Sequence, residues 1–145
     1  MKTRKDRQEK MRRIVRKQQI RTQHELVEAL AQQGYHCTQA TVSRDVEELR
    51  LTKVKEGHYV LAEDQHLQRM VHDLTDSISR TGNLVLIHAQ GGTAPGVAGA
   101  IDLAHLDGVL GTVSGDTTVL VVCEDEEKAI IFEEKIRFYF GGAKR

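Results

Sequence analysis

The sequence predicts an α+β protein in two parts, an N-terminal winged helix-turn-helix domain followed by a small αβαββα domain. Three observations predict it. Residues 1–60 hold fourteen Lys and Arg against eight Asp and Glu, and residues 61–145 hold seven against thirteen, so a net charge of zero hides +6 beside −6. The basic half contains capped amphipathic segments joined by a short connector, then two β-prone runs with a glycine between them. In the acidic half, β-branched runs and helical periodicity surround a glycine-rich turn. The predicted boundaries are residues 1–62 for the first domain, a polar linker over 63–66, and 67–145 for the second.

Residues 2–21 carry ten Lys and Arg against only Asp6 and Glu9, and Met11, Ile14 and Val15 give them a short apolar stripe. A helix over about 4–18 follows. Thr22 and Glu25 form a T-x-x-E capping box ahead of Leu26, Val27, Leu30 and Ala31, and Gly34 ends that second helix. After a connector of three residues, Thr38 caps a third helix over about 39–49, in the recognition position of a helix-turn-helix. Its apolar anchors are Ala40, Val42, Val46 and Leu49, with Ala40 and Val42 straddling the stripe, while Gln39, Thr41, Ser43, Arg44 and Glu47 stay polar. Short hydroxyl and amide side chains can approach base edges in a major groove, and an arginine can grip guanine or phosphate. A plain solvated helix face has the same composition; the flanking features favour DNA.

Those features are the basic run before it and a wing after it. Residues 51–55 and 58–61 are β-prone and meet at Glu56-Gly57, where glycine supplies the positive φ of a tight turn. Val54, Tyr59 and Leu61 would cover the helices and leave Lys53 and Lys55 for phosphate, joined by some of Arg4, Lys5, Arg12 and Arg13. The candidate contacts to double-stranded DNA are therefore Gln39, Thr41, Ser43, Arg44, Lys53 and Lys55.

In the second half, Leu67, Met70, Val71, Leu74 and Ile78 predict a helix over about 66–80 that Gly82 stops. A strand over 83–90 contains Val85-Leu86-Ile87, and the GGTAPGVAGAIDLA segment gives a turn and a helix with Pro95 near its first position. Strands over 109–114 and 118–123 meet at Gly115-Asp116-Thr117, and Asp125 caps a last helix reaching about residue 140. Two strands are apolar without alternation, which predicts burial on both faces. The last helix places Ala129, Phe132, Ile136 and Phe140 on one side and Ile131 and Phe138 on another. So much apolar surface on a domain of about 80 residues predicts a homo-oligomer.

No apolar run is long enough to span a bilayer and the N-terminus lacks a secretory core, so a cytoplasmic protein without a membrane partner is expected. Cys37 and Cys123 lack CxxC or His spacing, so both are expected as free thiols, with no disulfide and no metal. Asp102, Asp116, His88 and His105 could do acid–base work, but no nucleophile, base and orienter stand at a telling spacing. The expectation is no enzyme, no catalytic residues and no cofactor. Gly91 to Gly96 lacks both GxGxxG spacing and a P-loop ending, which leaves a tight turn with room for a ligand carboxylate.

TQATVSRDVEELRLTKV in the first half, with VLIHAQGGTAPGVAGAID and GVLGTVSGDTT in the second, resembles the bacterial arginine repressors and arginine-responsive regulators, in order and over nearly the whole chain. The resemblance implies trimers paired into hexamers by the C-terminal domain, and L-arginine bound between trimers to strengthen operator binding. It implies that Ser43 and Arg44 contact the operator, and that the effector site comprises Asp102, Gly115, Asp116 and Thr117. The family's GDDT turn here reads Gly115-Asp116-Thr117-Thr118, and Pro95 replaces a glutamine of some members. A guanidinium favours a charged bidentate acceptor, so a neutral Thr117 could cost on the order of 1–2 kcal/mol, roughly tenfold in affinity. The resemblance therefore implies a regulator of arginine metabolism genes with three variants of ligand response: weakened for arginine, directed to a related amino acid, or completed by a paralogous subunit that supplies the missing acid.

Overall fold

The computed structural model describes residues 2–141, so the last four residues assigned to the second domain lie outside it. The chain divides into two compact units, Met1–Ala62 and Glu63–Arg145.

The first unit contains α1 (Arg4–Lys17), α2 (Gln23–Gln32), α3 (Gln39–Glu48), β1 (Leu51–Lys53) and β2 (Tyr59–Leu61). Each helix begins on a threonine whose hydroxyl accepts a first-turn N–H: Thr3 from Asp6, Thr22 from Glu25 and Thr38 from Thr41, at 3.0–3.2 Å. The reciprocal capping box lies at Thr3, where the Asp6 carboxylate accepts the Thr3 N–H at 3.1 Å. At the second helix the Glu25 carboxylate instead accepts the N–H of Arg21, one residue earlier than the box requires.

Met11, Ile14, Val15, Leu26, Leu30, Val42, Val46, Leu51 and Leu61 form the core. Ala40, expected as an anchor, is exposed. It precedes Val42 by two residues, about 200° around the helix, so both cannot face inward. Asp45 occupies an inward place instead. The wing ladder is shorter than predicted, three pairs from Leu51↔Leu61 to Lys53↔Tyr59, and Gly57 turns at φ +94°.

The second unit contains α4 (Ala62–Leu74, from its second residue on), β3 (Thr75–Thr81), β4 (Leu84–Ala89), α5 (Ala94–Ala104), β5 (Val109–Ser114), β6 (Thr118–Cys123) and α6 (Glu126–Gly141). The α+β class holds, with one strand more than expected, so the order is αββαββα. Residues 63–66, read as a linker, are helical, and the helix expected over 66–80 ends at Leu74. Thr75–Thr81 is a strand. Ile78 continues the i+4 spacing from Leu74, which imitates a helix, and a bulge between Thr75 and Ser77 breaks the period-2 pattern that marks a strand. Gly82, at φ +55°, leads the two-residue turn that joins Thr81 to Leu84.

The sheet is antiparallel in the order β3-β4-β6-β5. Val85, Ile87, Val119 and Val121 bury one face in a core with Val71, Val97, Ile101, Phe132 and Ile136. The opposite face is only half-buried in the single chain, at Leu84, Leu86, Leu120 and Val122. On α6, Ala129, Phe132 and Ile136 point inward, whereas Ile131 and Phe138 remain 58% and 57% exposed.

Candidate nucleic-acid interface and effector site

The feature that fixes α3 is an acid the sequence pattern had not singled out. Asp45 is 1% exposed and receives a two-pronged bond from Arg7 of α1, Nε at 2.5 Å and Nη2 at 3.0 Å, with the Gln8 amide at 2.9 Å. Burial alone would push the Asp45 carboxyl up; the Arg7 fork and the Gln8 bond outweigh it and hold the group below the ordinary carboxylate range. The same bond raises the Arg7 guanidinium. The available signal was spacing: Val42, Asp45, Val46 and Leu49 follow i, i+3, i+4, i+7, with one acid inside an apolar stripe. Arg4, expected among the phosphate contacts, forms an ion pair with Glu48 of α3. Part of the basic run thus secures the recognition helix to α1.

With Val42, Asp45 and Val46 turned inward, the opposite side of α3 is open. Gln39 and Arg44 are exposed, Ser43 is half-buried one turn beyond Gln39, and Arg44 has no side-chain partner among the described residues. Thr41 is half-buried, with its hydroxyl 3.1 Å from that of Thr38 at the helix cap. In the wing, Lys53 and Lys55 are exposed, and the Lys53 ammonium lies 5.3 Å from the Tyr59 ring centroid. A helix held from behind, with an uncommitted arginine beside short polar groups in front, is suited to reading a groove.

The effector candidates fall into two groups. Asp102 projects from α5, and the Thr112 hydroxyl lies 3.0 Å from each of its carboxylate oxygens. The Gly115-Asp116-Thr117 turn is secured through its backbone: the Asp116 carbonyl accepts the Ala94 N–H at 3.3 Å and the Thr117 carbonyl accepts the Ala89 N–H at 2.7 Å. This leaves the Asp116 and Thr117 side chains exposed beside the glycine-rich turn. Asp102 stands eight residues along α5 from Ala94, about 12 Å at 1.5 Å per residue. The fold therefore brings the two turns together and places Asp102 toward the other end of α5. Pro95 is the second residue of α5, where a missing N–H costs little. Cys37 and Cys123 are free thiols, and no group of three metal-ligating side chains occurs among the described residues.

Residues 2–67 match the family described as arginine repressor, DNA binding domain, and residues 71–137 match arginine repressor, C-terminal domain. The chain belongs to the arginine repressor family. An arginine repressor of Alkaliphilus metalliredigens is 41% identical over 134 residues, covering 86% of this chain and 90% of the relative. One from Shouchella clausii is 39% identical over 136 residues, with 87% and 91% covered, and one from Thermus thermophilus is 41% identical over 133, with 84% and 81% covered. As a member of the arginine repressor family, the chain is a DNA-binding transcriptional regulator of arginine metabolism and not an enzyme. Among the described residues, no helix is long and apolar enough to cross a membrane.

Proposed function

We propose that this chain binds operator DNA in the cytoplasm as a homo-oligomer, with α3 reading the major groove, the wing contacting phosphate, and L-arginine acting as co-regulator between subunits. The observation that carries the DNA reading is Arg44, exposed and unpartnered among the described residues on a helix whose other side is bound through Asp45. Gln39 and Ser43 stand beside it as base-edge contacts, Thr41 supports them at the cap, and Lys53 and Lys55 serve phosphate. The test is DNA binding by fluorescence anisotropy at one fixed salt concentration, on an operator of the arginine-box type and on random duplex, with and without L-arginine. Selective tightening on the operator supports the whole reading; specific binding indifferent to arginine removes the effector part alone.

The oligomer reading is supported by uncovered apolar surface. Across the open sheet face the register sets Val113 opposite Leu120 and Leu120 opposite Leu86, an apolar band over three strands. Such a band on a small domain favours a subunit contact, and the family resemblance points to trimers paired into hexamers. Val113 is 67% exposed, so Val113→Asp should leave the chain folded and shift sedimentation to smaller species. An unchanged sedimentation profile would place the contact elsewhere.

For the effector, Asp102, Gly115, Asp116 and Thr117 are the proposed contacts. With Asp102 toward one end of α5 and Asp116 beside the turn at the other, the reading has them act on different ends of the ligand or from different subunits. Thr117 supplies an exposed neutral hydroxyl in place of the family's second acid. Thr117→Asp should therefore tighten L-arginine binding by about tenfold in calorimetry. No gain would favour the second reading, an accessory regulator with weak arginine sensing that works beside a paralogous subunit.

A further inference from the structure

Arg21 closes the basic run and, by sequence, resembles one more phosphate contact. Its geometry points elsewhere. Its Nη1 donates to the carbonyl of Glu56 at the wing tip, 2.7 Å away and 35 residues along the chain. The next residue, Gly57, has φ +94°, and a Cβ there would stand 3.0 Å from the same Nη1, so the tip and the guanidinium are in close approach. The root of the side chain is also held. The Arg21 N–H donates to the Glu25 carboxylate at 2.9 Å, and the neighbouring Ile20 is buried, with its carbonyl accepting the Tyr59 N–H at 2.8 Å. The connector between α1 and α2 thus runs against β2 and reaches out to the tip.

We propose that Arg21 is a positioning residue for the wing: its guanidinium holds the tip so that Lys53 and Lys55 meet DNA phosphate, and it does not contact DNA itself. This rests on the reading of the wing as a phosphate-binding element. A ladder of three residue pairs is marginal as a free hairpin. Beyond it the tip's own backbone bonds are those from the Val54 N–H to the His58 carbonyl at 3.0 Å and from the Gly57 N–H to the Val54 carbonyl at 2.8 Å. Among the described residues, a charged donor on the Glu56 carbonyl ties that tip to the connector between α1 and α2. Lys55 adjoins Glu56, so releasing the tie displaces Lys55 directly.

The test uses the full-length chain at fixed salt, with anisotropy on operator and random duplexes. It compares Arg21→Ala, the pair Lys53→Ala with Lys55→Ala, and all three together. Arg21→Ala alone should weaken both duplexes by about 3- to 10-fold, and by less than about twofold once both lysines are gone, because coupled groups are not additive. Hydrogen exchange at the Gly57 amide should quicken several-fold while core amides such as Leu26 and Leu30 stay protected. Equal losses in both backgrounds, with the salt slope falling by about one more, would make Arg21 a direct phosphate contact and overturn the proposal. Unchanged binding for Arg21→Ala would overturn it too. If the double lysine variant binds like the parent, the wing reading itself is wrong, and Arg21 has no phosphate contact to position.

Discussion

Asp45→Ala should lower the stability of the first unit by about 2–4 kcal/mol, more than the other substitutions considered on α3. Removing one partner of a buried ion pair costs roughly 3–5 kcal/mol, because the other charge is left desolvated. The Arg7 side chain is still 19% exposed and recovers some hydration, which trims the loss. With about 5–15 kcal/mol of stability in a typical domain, this consumes a large share, and operator and random DNA binding should fall together. Denaturant unfolding of the full chain, followed by circular dichroism, measures it; a change under about 1 kcal/mol would mean that the Arg7–Asp45 pair does not anchor α3.

The same pair sets an acid limit. Asp45 titrates lower in the folded protein than a free aspartate, so its stabilisation is complete above the unfolded value near 3.9. It is lost as pH falls through the lower folded value. Asp45→Asn keeps the shape and cannot titrate, so the variant should lack the part of acid destabilisation that the wild type shows below about pH 4.

Arg44→Ala should have the largest effect on sequence recognition. A bidentate arginine contact to a base is worth about 1–3 kcal/mol of discrimination, so operator affinity should fall roughly 5- to 150-fold. Random duplex should lose less than about threefold, the scale of one exposed cation. Lys55→Ala provides the contrast, weakening both duplexes alike and flattening the salt dependence. The two variants separate base reading from phosphate contact. Equal losses on both duplexes for Arg44→Ala would reassign it to phosphate. Because Arg44 is exposed, the variant should fold normally.

Local signals in the sequence were enough for the capped helices, the glycine-tipped wing and the strands at 109–114 and 118–123. Thr38, Gly57 and Asp125 act within a few residues of themselves, and their chemistry declares the element they begin or turn. β3 was hidden because a helix and a strand share one spacing across Leu74 and Ile78, and only pairing with β4 decides between them. The outward placement of Arg44 followed from the helical period, whereas Gln39, in register with Val42 and Val46, is exposed as the first residue of α3.

The sequence by itself determined the α+β class, the charge division between the halves, the helix-turn-helix order and the family motifs that surround Ser43, Arg44, Asp102 and Asp116. These depend on residue type and short spacing, which a single chain displays. Only the tertiary structure decided what the cations do. Arg4, Arg7 and Arg21 read alike as members of a basic run, yet they reach Glu48, Asp45 and the Glu56 carbonyl, partners 35–44 residues distant. A charge does not carry its destination in the sequence; desolvation and the geometry of close approach assign it once the elements have packed.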